Sequence, residues 1–189
     1  MARVYMIRHG RAAAGWGDQG ADPDPGLDAV GRTQADAACA ALMGMAQPPT
    51  LVLTSPLRRS RETASPLAAA LGLEALVEPR VAEIPTPKAV LAADRTEWLR
   101  NAFSGTWAGI DGDLDYLAWR DAVAAAVIAH PGAAIFSHFV AINAAVSAAL
   151  GRPEVRVVQP DNGSITVFET DGTALVLVQD GLQAETRVL

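Results

Sequence analysis

The sequence holds a single cysteine, Cys39, among its 189 residues. One thiol cannot build an internal disulfide framework or a multi-thiolate metal centre. Its setting among Ala35, Ala37, Ala38, Ala40 and Ala41 makes it read as a small core residue. Charge is scarce, at 19% of residues, and leans to acid, with a net charge of −6. Nucleic-acid binders carry a basic face, so no DNA or RNA partner is expected. The longest wholly apolar stretch, residues 122–129, is too short to cross a membrane. Arg8 and His9 interrupt the first apolar run, so no leader of the secretory kind is read there. These absences predict a cytoplasmic protein with no membrane partner. What the sequence has in quantity is apolar residues, at 50%. That share excludes disorder, and the length predicts one domain over residues 1–189 around one core.

Short runs that are apolar on both faces occur at residues 4–7, 51–54 and 134–137. They suit central strands of a parallel sheet covered by helices. Two further strand-like runs, 164–170 and 174–179, flank Asp171-Gly172, a hairpin signal. Helix-like segments lie at 27–45, 56–71, 114–130 and 139–150. In the second, Ser55 is the expected N-cap, Pro56 enters the first turn and Gly72 ends it. Gly151 ends the fourth. The alternation predicts an α/β fold with a mostly parallel central sheet. Two long loops stand apart. Residues 13–26 are rich in glycine and carry Asp18, Asp22, Pro23, Asp24 and Pro25, while residues 78–88 are stiffened by Pro79, Pro85 and Pro87.

Three clusters follow three predicted strands, where open α/β sheets gather ligands. The first is Arg8-His9-Gly10, a permanently charged anion clamp beside a nucleophile or base. Gly10 would allow close backbone approach to a ligand. The second runs from Ser55 to Ala64 and carries Arg58, Arg59 and Arg61. Three arginines in a first helical turn oppose the helix dipole unless an anion sits there; the alternative is a solvated basic face. Arg58 and Arg61 share a face and Arg59 points elsewhere. The third is Phe136-Ser137-His138-Phe139. Together these form a pocket of two imidazoles and at least two guanidinium groups, suited to a phosphoryl group.

With these clusters in order, the chain resembles the histidine phosphatase superfamily, also called the phosphoglycerate mutase-like family. The likeness runs from Arg8-His9-Gly10 through residues 55–64 to His138 and Asn162-Gly163-Ser164-Ile165, and the ordered set is far more specific than any one motif. It implies a three-layer α/β/α sandwich. It implies that His9 is the phosphorylated nucleophile, that Arg8 and Arg59 clamp phosphoryl oxygens, and that His138 is the second phosphate-binding imidazole. Glu83, in Val81-Ala82-Glu83-Ile84-Pro85, resembles the acid of the mutase-like branch and becomes the expected proton donor; the alternative is an exposed loop carboxylate. Phe139 stands where the acid-phosphatase branch has its Asp. Two departures weaken a mutase-like reading: Arg11 follows Gly10 where Glu or Gln is usual, and Trp16, Gly17 and Asp18 fill the region of a mutase Asn. Arg11 is either a further contact for an anionic substrate or simply exposed.

The leading expectation is a metal-independent phosphatase, without cofactor, acting on a small phosphomonoester or a phosphoprotein. A phosphoglycerate mutase-type phosphotransferase is the first alternative, and the shortness of the chain between the second and third clusters speaks against it. An inactive phosphate-binding module is the second. A metal hydrolase using His9, His138 and Glu83 lacks ligand-spaced histidines, and the arginines would repel a cation. His130 is expected to meet its own helix end, Trp98, Trp107 and Trp119 to pack, and Asp161 and Asn162 to lie in a turn that could shape the pocket wall.

Overall fold

The computed structural model describes residues 1–14 and 22–183. Among them six strands make one sheet in the order β3-β2-β4-β1-β5-β6. They are β1 (Ala2–Arg8), β2 (Leu51–Thr54), β3 (Leu76–Val77), β4 (Ala133–Ser137), β5 (Ile165–Thr170) and β6 (Leu175–Gln179). β1, β4, β2 and β3 run parallel, while β5 and β6 add an antiparallel edge. The helices are α1 (Ala29–Met43), α2 (Arg58–Leu71), α3 (Arg95–Phe103), α4 (Tyr116–Ile128) and α5 (Phe139–Leu150).

Strand alternation divides the core into two. Tyr5 and Ile7 of β1 pack with Ala38 and Leu42 of α1 and Ala64 and Leu67 of α2. Val4 and Met6 face the other way, among Val123 and Val127 of α4 and Phe139 and Ile142 of α5. Successive side chains of a strand leave on opposite faces, so one apolar run seals both layers. The three-layer α/β/α sandwich expected from the sequence is the fold.

The helix ends follow local chemistry. Asp28 caps α1 by accepting from the Gly31 N–H at 2.7 Å. Gly72 and Gly151 close α2 and α5 with φ of 65° and 63°. α5 is buried from Phe139 to Ser147, as its apolar sequence requires. The Asp171-Gly172 hairpin forms, with Asp171 Oδ1 accepting from the N–H groups of Thr173 and Ala174 at 2.9 and 3.0 Å. His130 Nδ1 donates to the Ala126 carbonyl at 2.7 Å, and Trp107 is buried with its Nε1 donating to Ser147 at 2.8 Å.

Two elements escape the sequence reading. β3 has only two residues, both exposed. α3, in sequence Arg-Thr-Glu-Trp-Leu-Arg-Asn-Ala-Phe, is largely polar and has no side-chain cap; Leu99, Ala102 and Phe103 hold it to the core. One detail is corrected. α2 begins at Arg58 with Leu57 as N-cap, so Ser55 does not cap it and Pro56 precedes it. The helix N-terminus is served from afar: Asp24 Oδ1 and Oδ2 accept from the Arg58 N–H at 2.9 and 3.1 Å. That carboxylate is an anion for the arginine-rich first turn.

Candidate active site

β1, β4 and β2 end at one edge of the sheet, and the chain that leaves each carries one part of the site. β1 and β4 pair in parallel, Arg8 opposite Ser137, and the His9 N–H donates to the Ser137 carbonyl at 3.0 Å. His9 and His138 therefore emerge side by side, with ring centroids 5.1 Å apart. β2 delivers α2, whose buried face includes Arg59 while Arg58 and Arg61 stay exposed.

The bonds around His9 define its ring. Nδ1 lies 2.8 Å from the Gly10 carbonyl, which can only accept, so Nδ1 carries the hydrogen. Nε2 is then the lone-pair nitrogen, and the Nε–H of Arg59 donates to it at 3.2 Å. Asn162 Nδ2 donates to the His9 carbonyl at 2.8 Å, and Thr63 accepts from the Gly10 N–H at 3.0 Å. The nucleophile candidate is thus held through its backbone as well as its ring. The scaffold requires a glycine at position 10: a Cβ there would sit 2.4 Å from the Gly31 carbonyl oxygen of α1.

Burial pushes His9 well below the usual histidine range, and the charges of Arg59 and Arg8 push it further. His138 is lowered in the same way, by burial first, then by His9, Arg59, Arg8 and Arg95. Both rings are therefore neutral at pH 7. A neutral imidazole has the lone pair that nucleophilic attack requires.

Glu83 is buried, which removes the exposed-loop alternative. Its Oε1 accepts from the Ile84 N–H at 3.1 Å; its Oε2 has no hydrogen-bond partner and lies 3.8 Å from His138 Nδ1. Burial raises its pKa, against the opposing pull of Arg95, Arg59, the Ile84 N–H and Arg8. A carboxyl group whose pKa is raised by burial holds its proton more readily, which suits an acid. Arg8 lies over the Phe139 ring at 5.3 Å and donates from Nη1 to the Pro160 carbonyl at 3.0 Å, while its Nε is buried and unpaired. Arg59 Nη2 stands 3.4 Å from His138 Nδ1, and its Nη1 is 3.9 Å from Asp24.

All five residues singled out from the sequence, Arg8, His9, Arg59, Glu83 and His138, meet at this edge. Arg11 does not; it is exposed and paired with Asp28 at 2.5 Å. Trp16, Gly17 and Asp18 lie outside the described residues. The sequence reading missed Arg95, the first residue of α3, whose Nε donates to Thr86 at 2.7 Å and whose charge acts on Glu83. No motif announces it. It also missed Ser55 as a partner of His138, at 2.7 Å from Nε2. Among the described residues no cluster of three or more His, Cys, Asp or Glu side chains could hold a metal ion, and the concentration of guanidinium groups would oppose one.

Comparison with known proteins gives a consistent picture. The family model described as histidine phosphatase superfamily (branch 1) matches residues 4–181. A curated protein named probable phosphoglycerate mutase, from Yersinia enterocolitica, is 32% identical over 117 residues, covering 58% of this chain and 53% of that protein. The chain thus spans about half the length of the curated relative it matches. Among solved structures, a mycobacterial glucosyl-3-phosphoglycerate phosphatase with inorganic phosphate has a TM-score of 0.73 at 22% identity, over 99% of this chain and 100% of that one. Phosphoserine phosphatase from Entamoeba histolytica, in complex with 3-phosphoglyceric acid, has a TM-score of 0.76 at 20% identity, over 98% of both chains. At these identities the two structures bear on the fold.

Proposed function

Since this chain belongs to the histidine phosphatase superfamily (branch 1), we propose that it is a metal-independent phosphatase that works through a phosphohistidine on His9. The observation that carries the reading is the pair of bonds on the His9 ring. Gly10 takes the Nδ1 hydrogen, and the free Nε2 faces Arg59.

In the first step His9 Nε2 attacks phosphorus in line with the ester bond. The P–O bond breaks, and the leaving oxygen takes the proton of Glu83. Arg59 and Arg8 neutralise the charge that spreads over the phosphoryl oxygens. In the second step water attacks the phosphohistidine and gives a proton to the Glu83 carboxylate. Inorganic phosphate leaves, and the Nε2 lone pair and the Glu83 proton are restored. No described helix is long and apolar enough to cross a bilayer.

The substrate class we propose is a small phosphomonoester or a phosphoprotein. Because the names of the similar proteins include glucosyl-3-phosphoglycerate, phosphoserine and phosphoglycerate, phosphorylated small acids are the first candidates to assay. The test is brief reaction with a labelled phosphoester, followed by denaturation. Label should stay on the wild-type protein in alkali, leave in acid, and be missing from His9→Ala, whose turnover should fall by at least about 10³-fold. Activity should survive chelation, and vanadate should inhibit. Full turnover in His9→Ala defeats the proposal, and rapid phosphoglycerate interconversion with little free phosphate makes the protein a mutase.

A further inference from the structure

Arg59 meets a neighbour at each of its three guanidinium nitrogens. A guanidinium can only donate, so Nε–H donates to His9 Nε2 at 3.2 Å and Nη2–H to His138 Nδ1 at 3.4 Å. The third nitrogen, Nη1, lies 3.9 Å from Asp24 Oδ1. Nε and Nη2 form the side edge of the fork, the edge that can take two oxygens of one anion. That edge faces the two imidazoles. Asp24 stands at the far nitrogen, away from both rings.

The carboxylate is itself pinned. Both of its oxygens accept from the Arg58 N–H, at 2.9 and 3.1 Å. The Asp24 N–H donates to Asp22 Oδ1 at 2.9 Å, and Pro23 and Pro25 restrict the backbone on either side. Further along, the Leu27 N–H donates to Glu62 Oε2 at 2.7 Å, and Glu62 Oε1 accepts from Arg58 Nε at 2.7 Å. The loop end is thus tied to α2 at Arg58 and at Glu62, one turn apart. The helix turn that bears the Arg59 guanidinium also fixes the carboxylate beside it. A helix cap needs only an oxygen, which Asn or Ser supplies without charge. Burial lowers the pKa of Arg59, and the charges of Glu83 and Asp24 oppose that.

We propose that Asp24 is a positioning residue for Arg59: its carboxylate holds the far nitrogen of the guanidinium, so that the side edge, Nε and Nη2, stays turned to the place where phosphoryl oxygens bind. A long side chain otherwise loses its rotamer freedom only when the substrate arrives, and fixing it beforehand removes that cost from binding. The proposal rests on the reading of this site as the phosphoryl site. It also gives a use to the carboxylate between Pro23 and Pro25, whose charge a helix cap does not need.

The test separates the charge of Asp24 from its cap. Asp24→Asn keeps an oxygen for the Arg58 N–H and removes the charge. Its unfolding midpoint should match the wild type, while kcat/KM falls on the order of 10-fold, inside the ~10²-fold that a 1 Å misplacement can cost. Vanadate, used as the probe of the phosphoryl site, should bind more weakly by a similar factor. Asp22→Asn takes the same charge from the same loop at a group that faces Arg58 at 3.9 Å. It should leave both values within about twofold of wild type. In an Arg59→Ala background, Asp24→Asn should change kcat/KM by less than about twofold, because the group it orients is gone. Wild-type kcat/KM in Asp24→Asn overturns the proposal, and so does an undiminished loss in the Arg59→Ala background. Tighter vanadate binding overturns it too, since Asp24 would then compete for the charge of Arg59. Asp24→Ser supplies the cap in a second way and carries the same expectations; if neither variant folds, the charge serves the fold and the proposal fails. Failure of the phosphatase reading has a different mark, full turnover in His9→Ala.

Discussion

Arg59 donates its Nε–H to the lone pair of His9 Nε2 across 3.2 Å. In the resting site the cation thus lies against the lone pair that the proposed attack on phosphorus would use. Burial first, and then the charge of this same group, lowers the pKa of the ring.

Arg59 is the one arginine of the α2 start that is buried in the site. Arg59→Ala should lower kcat/KM by roughly 10²–10³-fold, the scale for losing one preorganised donor. Arg58→Ala and Arg61→Ala should stay within a few-fold of wild type, since both are exposed and Arg58 pairs with Glu62 at 2.7 Å. Steady-state kinetics of the three variants decides; a larger loss at Arg58 or Arg61 would reverse the assignment.

Glu83 should reveal itself through the leaving group. An alkyl alcohol needs a proton as it departs, and a nitrophenolate does not. Glu83→Gln should therefore slow hydrolysis of a sugar phosphate by about 10²–10⁴-fold and that of p-nitrophenyl phosphate far less. Equal losses on both substrates would leave Glu83 without the donor role.

The neutral histidines also couple stability to pH. For a group lowered on folding, the unfolded chain binds the proton first, below its ordinary value near 6.5. The stabilisation is then fully present above that value and is lost as pH falls, by about 1.4 kcal/mol per unit for each ring. Glu83, raised by burial, works in the opposite sense: it favours the folded state at low pH and loses that contribution as pH rises from 4.5 through its folded value. Denaturant titrations from pH 7 to pH 5 should show falling stability. Glu83→Gln should steepen the lower part of that fall, and replacing His9 and His138 by Gln should flatten it.

A glycine in a helix is usually improved by alanine, by about 1 kcal/mol. Gly31 of α1 should do the reverse. A Cβ there would lie 2.1 Å from the Arg11 carbonyl oxygen, just as one at Gly10 would meet Gly31. The loop that follows His9 rests on the backbone of α1, and neither side can give way cheaply. Gly31→Ala should cost at least about 2 kcal/mol in a denaturation curve and should reduce turnover by displacing His9; a neutral or stabilising outcome would show that the loop can retreat.

Much of this protein is legible in the order of its residues. Short apolar runs at residues 4–7, 51–54 and 134–137 suit strands covered by helices on both faces, so the α/β fold with a mostly parallel sheet follows from the pattern, and the resemblance implied its three layers. Arg8-His9, Arg59 and His138 each stand just beyond such a run, and parallel strands place such ends at one edge. The spacing of Arg58, Arg59 and Arg61 sets Arg59 apart from the other two, because helical geometry is local, and the resemblance points to Arg59 as the inward one. Tertiary structure alone decided the rest. α3 is too polar to declare itself, and it forms because Leu99, Ala102 and Phe103 find the core; Arg95 comes to the site with it. Ser55 reads as a cap until β4 brings His138 to its hydroxyl, 83 residues away in sequence. Nothing in the sequence shows that Gly10 packs against the backbone of α1 at Gly31. These partners are set by long-range packing, which leaves no periodicity or spacing in the chain for a reader to find.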